Sequence, residues 1–429
     1  MTAATLQALR RGELAGARAL DLSGLGLTEL PPEILGLADT LEMLDLARNA
    51  LATLPPGFAR LRRLRILFCS GTPFPRLPPV LGDLPALAQI GFRGCGLREI
   101  PPESLPPALR WLTLTDNRIT ELPPALGQRP ALQKLMLAGN HLHALPACLE
   151  AAPALELLRL SANCFEALPP WLPELPRLAW LAWAGNPLDR APAPSAPDIP
   201  WAALDSGAML GEGASGRVHR AQWNGRPVAL KLFKGAMTSD GLPEREMAAC
   251  LAAGDHPNLT GALGRLTGHP EGLEGLAMPL LPEGWRALAA PPSPESCTRD
   301  VYDPALRLEP ATALRLARGI AAAATHLHGR SLLHGDLYAH NTLWDGEGRH
   351  AVLSDFGAAS FLPEDGAIPA LQRIETRAFG IFLGELLDRC DQPPAELQAL
   401  HDACTTTIPA SRPLMAEVAA ALRDRAGPD

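Results

Sequence analysis

Residues 17 to about 190 place apolar side chains in one recurring arrangement, L-x-x-L-x-L-x-x-N-x-L-x-x-L-P. The first strand leucine of each unit falls at Leu20, Leu44, Leu67, Ile90, Leu112, Leu135, Leu158 and Leu181, in steps of 22 to 24 residues. Eight units at that period predict a solenoid, each turn contributing one short strand that buries two leucine-type residues. Asn49, Asn117, Asn140, Asn163 and Asn186 occupy the asparagine position. An amide there has donors and an acceptor for backbone groups of adjacent turns, which predicts an internal ladder. Thr72 and Cys95 replace it in two units and weaken the ladder there. The Leu-Pro step that ends each inward run predicts short helices or 3₁₀ turns on the convex side. Residues 1 to 16 suit a short helix that caps the open end of the stack.

The pattern then changes. Ala191-Pro192-Ala193-Pro194-Ser195-Ala196-Pro197-Asp198 reads as a short, stiff linker, which gives a solenoid over 1–190, a linker over 191–200 and a second domain over 201–425. That domain opens with strand-like stretches, among them Val228 to Phe233. A helix follows around Glu244 to Leu251, and helical periodicity dominates from Ala311 onward, as in Ala313 to Leu327. Strands first and helices later predict an α+β domain of two lobes with a cleft between them.

Composition narrows the classes. With 47% apolar residues in 429, extensive disorder is excluded. A net charge of -8 argues against a general affinity for nucleic acid or anionic membrane. Eight scattered cysteines without a CxxC pair indicate reduced thiols and a cytoplasmic setting. Arg10, Arg11 and Glu13 stand where a signal peptide would need an apolar run, and no uninterrupted apolar run is long enough to span a membrane.

Candidate chemistry lies in the second domain. His334-Gly335-Asp336-Leu337-Tyr338-Ala339-His340-Asn341 is followed, fourteen residues after Asn341, by Asp355-Phe356-Gly357. These stretches offer a candidate base, Asp336, and two candidate oxygen ligands for Mg²⁺, Asn341 and Asp355. Phosphoryl transfer from ATP needs such a set. Upstream, Gly211-Glu212-Gly213-Ala214-Ser215-Gly216-Arg217-Val218 suits a hairpin closing over a triphosphate, and Val228-Ala229-Leu230-Lys231 supplies a lysine for its phosphates. A buried lysine needs a carboxylate partner. Glu246 is the better candidate and Glu244 the second.

These motifs resemble the eukaryotic-like protein kinase family over roughly residues 205–422. With the repeats over 17–190, the chain resembles a bacterial-type leucine-rich-repeat kinase. The resemblance implies an ATP- and Mg²⁺-dependent enzyme that phosphorylates Ser or Thr on proteins recruited by the repeats. It implies an adenine pocket of Leu210, Val218, Ala229 and Leu343, with Met278 at its back and Pro279-Leu280-Leu281 as the hinge strand. Gly211, Gly213 and Gly216 cover the phosphates, and Lys231 contacts them.

Four departures qualify it. Gly335 stands where the family has an arginine that reads an activation-loop phosphate, which implies regulation without one. Tyr338 and His340 replace a basic residue after Asp336. A protonated His340 would supply that charge, so the rate would fall as pH rises through the histidine range. Only 20 residues separate Asp355 from Glu375, and no Ala-Pro-Glu is present, so the platform that docks a peptide is shortened. Without that glutamate Arg412 lacks its usual partner, while Glu375-Thr376-Arg377-Ala378-Phe379-Gly380 still resembles the family's Asp-x-Trp-x-x-Gly region, with Glu375 in place of aspartate.

A small-molecule phosphotransferase is the alternative enzyme, since His-Gly-Asp-Leu followed by Asn resembles antibiotic and choline kinases. A scaffold whose nucleotide site only holds one conformation is the non-enzymatic alternative. On the solenoid, Met43, Ile66, Trp111, Leu157 and Trp180 fall on the concave side, and an exposed apolar column there would favour a protein partner around Trp111 and Trp180.

Overall fold

The computed structural model describes residues 2–190, 197–213, 215–235, 237–238, 240–364 and 366–423. Ala191 to Ala196 of the expected linker, and Ala214 of the glycine-rich loop, lie outside the described residues. The chain divides into two compact units, Met1–Leu175 and Pro176–Asp429.

The first unit opens with helix α1 (Thr2–Arg10), followed by seven strands of three residues each. They are β1 (Ala19–Asp21), β2 (Met43–Asp45), β3 (Ile66–Phe68), β4 (Gln89–Gly91), β5 (Trp111–Thr113), β6 (Lys134–Met136) and β7 (Leu157–Arg159). All pair in parallel, and their register stacks Leu20, Leu44, Leu67, Ile90, Leu112, Leu135 and Leu158 in one buried column. The Leu-Pro steps lead into 3₁₀ turns such as Pro56–Arg60 and Pro124–Gln128, where proline starts the turn and forbids a longer helix.

The asparagine ladder is present. Asn117 Nδ2 donates to Phe92 O and Leu114 O (both 2.8 Å), while its Oδ1 accepts from the Cys95 and Leu97 amides at 3.1 and 2.9 Å. Asn49, Asn140 and Asn163 bridge turns in the same way. Thr72 keeps part of it, donating to Leu46 O at 3.1 Å and accepting from the Asn49 amide. Cys95 offers only a thiol to Cys69 O at 3.2 Å, a weaker donor.

The second unit begins with β8 (Trp180–Ala182), the strand of the eighth repeat, and β9 (Asp198–Pro200). Strands β10 (Leu204–Glu212), β11 (Gly216–Trp223), β12 (Arg226–Phe233), β13 (Gly264–Thr267) and β14 (Gly275–Pro279) form an antiparallel sheet in the order β10-β11-β12-β14-β13, and β9 joins β13 in parallel. Its core gathers Ile199, Val228, Leu230, Leu266 and Ala277. Helix α2 (Pro243–Ala253) starts on a proline at its first position, where the missing N–H has no cost.

The larger lobe holds β15 (Arg286–Ala287), α3 (Pro310–Gly329), β16 (Leu332–Leu333), β17 (Thr342–Trp344), β18 (Ala351–Leu353), β19 (Ser360–Phe361), α4 (Ile368–Leu387), α5 (Ala395–Thr405) and α6 (Met415–Arg423). Helix α3 buries Ala313, Leu316, Ala317, Ile320, Ala324 and Leu327, the stripe its periodicity predicts. Small alanines on that stripe let its neighbours approach closely. Strands β16 and β19 pair on either side of the candidate loops, and β17 pairs with β18 between them.

Candidate nucleotide and catalytic site

Strands β10 and β11 form the glycine-rich hairpin, with Gly211 opposite Val218 and Glu212 opposite Arg217. At Gly216 a Cβ would lie 2.4 Å from Leu232 O, so only glycine lets β11 run this close to β12. One strand over, Lys231 forms an ion pair with Glu246 of α2, whereas Glu244 is exposed. The pair is nearly dry, with side-chain exposures of 12% and 2%. Burial alone would lower the Lys231 pKa, but Glu246 and Asp355 raise it on balance, so the lysine stays charged. Burial pushes Glu246 up to about 7 against the pull of Lys231.

Behind the hairpin lies a cavity of about 470 Å³. Leu210, Val218, Ala229, Met278, Leu280 and Leu343 line its apolar part, and Lys231, Glu246 and Asp355 its polar end. A second cavity of about 210 Å³ under the glycine loop shares Val218, Lys231 and Asp355, and adds Gly213, Ser215, Gly216 and Asp240. Apolar walls leading to a lysine paired with Glu246 and to a second carboxylate, Asp355, suit a flat aromatic group attached to an anionic tail that carries a cation.

The loop between β16 and β17 carries the candidate base. Asn341 Nδ2 donates to Asp336 Oδ2 at 2.8 Å and to Asp336 O at 3.0 Å. Asn341 O in turn accepts from the Ser354 amide and hydroxyl, both at 2.8 Å, which ties the loop to the residue before Asp355. Asp355 itself adopts φ +63°, a costly conformation for a residue with a side chain, and its Oδ1 accepts from the Gly357 amide at 3.1 Å. Asp336 and Asn341 are therefore bonded directly and tied to Asp355 through Ser354, while Lys231 and Asp355 both line the two cavities. Gly335, with φ +71°, donates its N–H to Glu375 of α4 at 2.8 Å. Glu375 is buried; burial alone would raise its pKa, but the hydrogen bond from His328 at 2.7 Å lowers it overall.

Residues 204–378 match a family model described as protein tyrosine and serine/threonine kinase, and residues 107–165 match one described as leucine rich repeat. The chain joins a leucine-rich-repeat region to a protein kinase domain. Podocan from Mus musculus is 39% identical over 113 residues, covering 25% of this chain and 17% of that protein. Serine/threonine-protein kinase CTR1 from Arabidopsis thaliana is 29% identical over 217 residues, covering 44% of this chain and 24% of that kinase. Leucine-rich repeat serine/threonine-protein kinase 1 from Caenorhabditis elegans is 35% identical over 102 residues, covering 24% of this chain and 4% of that protein. The chain thus spans less than a quarter of the length of each of these relatives.

Within the kinase domain, His340 stands apart from the simple role expected of it. Its Nδ1 lies 2.7 Å from Asp300 Oδ1, and its backbone N–H donates to Asp300 Oδ2 at 3.0 Å. Burial alone would lower its pKa, but Asp300 and Asp336 raise it overall, so its charge is shared with a carboxylate the sequence motifs did not mark. The buried Arg412 is satisfied by carbonyls of Thr406, Arg373 and Pro176 where a carboxylate was sought.

Two concave-side expectations need correction. Trp180 is 1% exposed, because its ring stacks on Tyr338 at 4.2 Å and its indole N–H donates to Leu337 O at 3.0 Å. It cannot receive a partner there. Leu157 is likewise buried. Trp111 remains half-buried, with its N–H donated to Thr113 Oγ1 at 2.8 Å and the Lys134 ammonium 4.0 Å from its ring. Sequence reasoning missed Asp300, Trp183 and Asp189, and named Tyr338 without its stacking partner Trp180. The one available signal was the crowding of tryptophans into Trp171, Trp180 and Trp183, more than one repeat's own interior needs.

Proposed function

We propose that this chain is an ATP- and Mg²⁺-dependent protein kinase acting on Ser or Thr in the cytoplasm, with substrates recruited by the repeats around Trp111. The observation that carries the reading is the shared polar end of the two cavities, where Asp355 and Lys231, itself paired with Glu246, line both beneath the glycine hairpin. In this reading Leu210, Val218, Ala229, Met278, Leu280 and Leu343 hold the adenine. Gly211, Gly213 and Gly216 give backbone N–H groups access to the phosphates, and Lys231 neutralises them.

Asn341 and Asp355 present only oxygen donors, a set that fits Mg²⁺, which takes one or two protein oxygens and completes its shell with phosphate and water. Bound there, the ion offsets charge that builds on the transferring phosphoryl group. The acceptor hydroxyl oxygen forms a bond to the γ-phosphorus as the bond to the bridging oxygen breaks and ADP leaves. Asp336 takes the hydroxyl proton, and the Asn341 amide orients its carboxylate. No helix of the described residues is long and apolar enough to cross a membrane.

A small-molecule acceptor is the second reading, favoured by one feature. Helix α4 begins at Ile368, seven residues after β19 ends at Phe361, which leaves little chain for a peptide platform. Labelled ATP with the full chain separates the two. Label on casein or on the chain itself supports a protein kinase, and label on added amino alcohols alone supports the second reading. Asp336→Asn should keep ATP affinity within about twofold and lower transfer by about 10²–10⁴-fold, the range of a general base. Undiminished transfer in that variant would remove Asp336 from the reaction.

A further inference from the structure

The catalytic loop is gripped by a segment that its own motifs do not contain. Gly335, one residue before Asp336, donates its N–H to Glu375. Leu337, one residue after it, accepts the indole N–H of Trp180, and the next ring, Tyr338, lies flat on that indole with 5° between planes. Asp336 is thus fixed on both flanks, on one side by α4 and on the other by the eighth repeat. Trp183 continues the grip on the strand after Asp355-Phe356-Gly357, donating its amide to Ser360 Oγ at 2.9 Å and its indole N–H to Phe361 O at 3.2 Å. Asp189, buried, reaches Arg245 of α2 at 3.5 Å, beside Glu246.

Gly335 gives an independent sign of the same fit. A Cβ there would lie 2.7 Å from Leu181 O and 2.5 Å from Ala358 O, and its φ is +71°. Any larger residue, including the arginine usual at this point, would push repeat eight away. The departure from the usual motif is therefore the condition that lets β8 lie against the loop.

We infer that repeat eight, from Pro176 to Asp189, is an intramolecular clamp on the catalytic loop, and that Trp180 is a positioning residue for Asp336. The inference rests on the kinase reading above. In the free loop the Leu337 peptide would rotate, and the Asp336 carboxylate would leave its line to the acceptor. With the indole N–H in place, the loop keeps its working geometry without a phosphate on a neighbouring segment. The lost donor leaves a buried carbonyl unsatisfied, so its effect should be felt in turnover and not in nucleotide capture.

The test uses the full chain with γ-labelled ATP and casein as acceptor. Trp180→Phe keeps a ring over Tyr338 and loses only the N–H. Its kcat should fall by about tenfold, equivalent to about 1.4 kcal/mol, with the KM for ATP within about twofold of wild type. Trp180→His, which restores a ring N–H, should recover part of that loss. A Trp180→Phe protein with unchanged kcat, or one whose kcat and ATP KM worsen together, would overturn the clamp. A wild-type chain that labels neither casein nor itself would instead sink the kinase reading, so the two failures are distinct.

Discussion

Repeats one to seven and the second unit use buried polar groups in opposite ways. In the repeats a side-chain amide finds its partners within three residues or about one turn away, as Asn117 does with Leu114 and Phe92. Such bonds are local and repeated, so each turn is stabilised by its neighbours alone. In the second unit the decisive bonds join distant segments: Gly335 to Glu375, Trp180 to Leu337, Arg412 to Pro176. Repeat eight carries the same sequence pattern and keeps a local ladder bond, Asn186 Nδ2 to Trp183 O at 2.7 Å, yet its tryptophans add bonds of the second kind. Sequence periodicity reports what a turn buries, and the partner of its outer face decides what the turn does.

The sharpest way to break this comparison is to force repeat eight off the loop. Gly335→Arg must place a Cβ where Leu181 O and Ala358 O stand, at a φ that costs a side chain about 1–3 kcal/mol before the overlap is counted. The second unit should lose about 3 kcal/mol or more of stability, read from urea unfolding by tryptophan fluorescence. Gly335→Ala should lose less, since its side chain ends at Cβ. If Gly335→Arg unfolds at the wild-type midpoint, β8 does not lie where the structure has it.

A smaller effect tests the repeats. Asn117→Ala strands the Cys95 and Leu97 amides and the Phe92 carbonyl, each worth about 1–3 kcal/mol when left unpaired, while Leu114 O keeps its bond from Asn140 at 2.9 Å; neighbours relax and the sum is not additive. We expect a loss of about 2 kcal/mol from the first unit, seen in urea unfolding. Kinase turnover should be unchanged, because those bonds stay within turns four and five. A matching loss of turnover would show that the two kinds of bonding are not independent.

The solenoid was legible because its information is periodic: Leu20 to Leu158 stack in the register their spacing implies, and the Leu-Pro steps became 3₁₀ turns. The cleft was legible because four motifs carry it in order, and the residues expected at the adenine pocket line one cavity. What stayed hidden depends on segments far apart in sequence. Asp300 sits in a stretch without regular periodicity and meets His340 only through the folded chain. Trp180 follows the repeat pattern so well that the pattern assigns it to the concave side, and nothing in the local sequence reports Tyr338. Glu375 was visible as a substituted aspartate, but its hold on Gly335 appears only once α4 packs beneath the loop.

The smallest expected effect refines the second unit further. Glu385 of α4 accepts from the Tyr302 hydroxyl at 3.1 Å, and burial, aided by Asp300, raises its pKa to about 8, with Arg299 and Arg389 opposing. Its ordinary value is 4.5, so the folded chain holds a proton that the unfolded chain releases between those limits. Stability from this group is complete below about pH 4.5 and is lost as pH rises towards 8. Glu385→Gln carries no proton to release, so it should gain on the wild type by on the order of 1–2 kcal/mol from pH 5 to pH 8, after screening at this partly open site. Urea midpoints of both proteins at those two pH values decide it: parallel shifts would mean that the folded chain does not hold Glu385 above its ordinary range, and that Tyr302 and the surrounding burial leave its proton free to exchange with water.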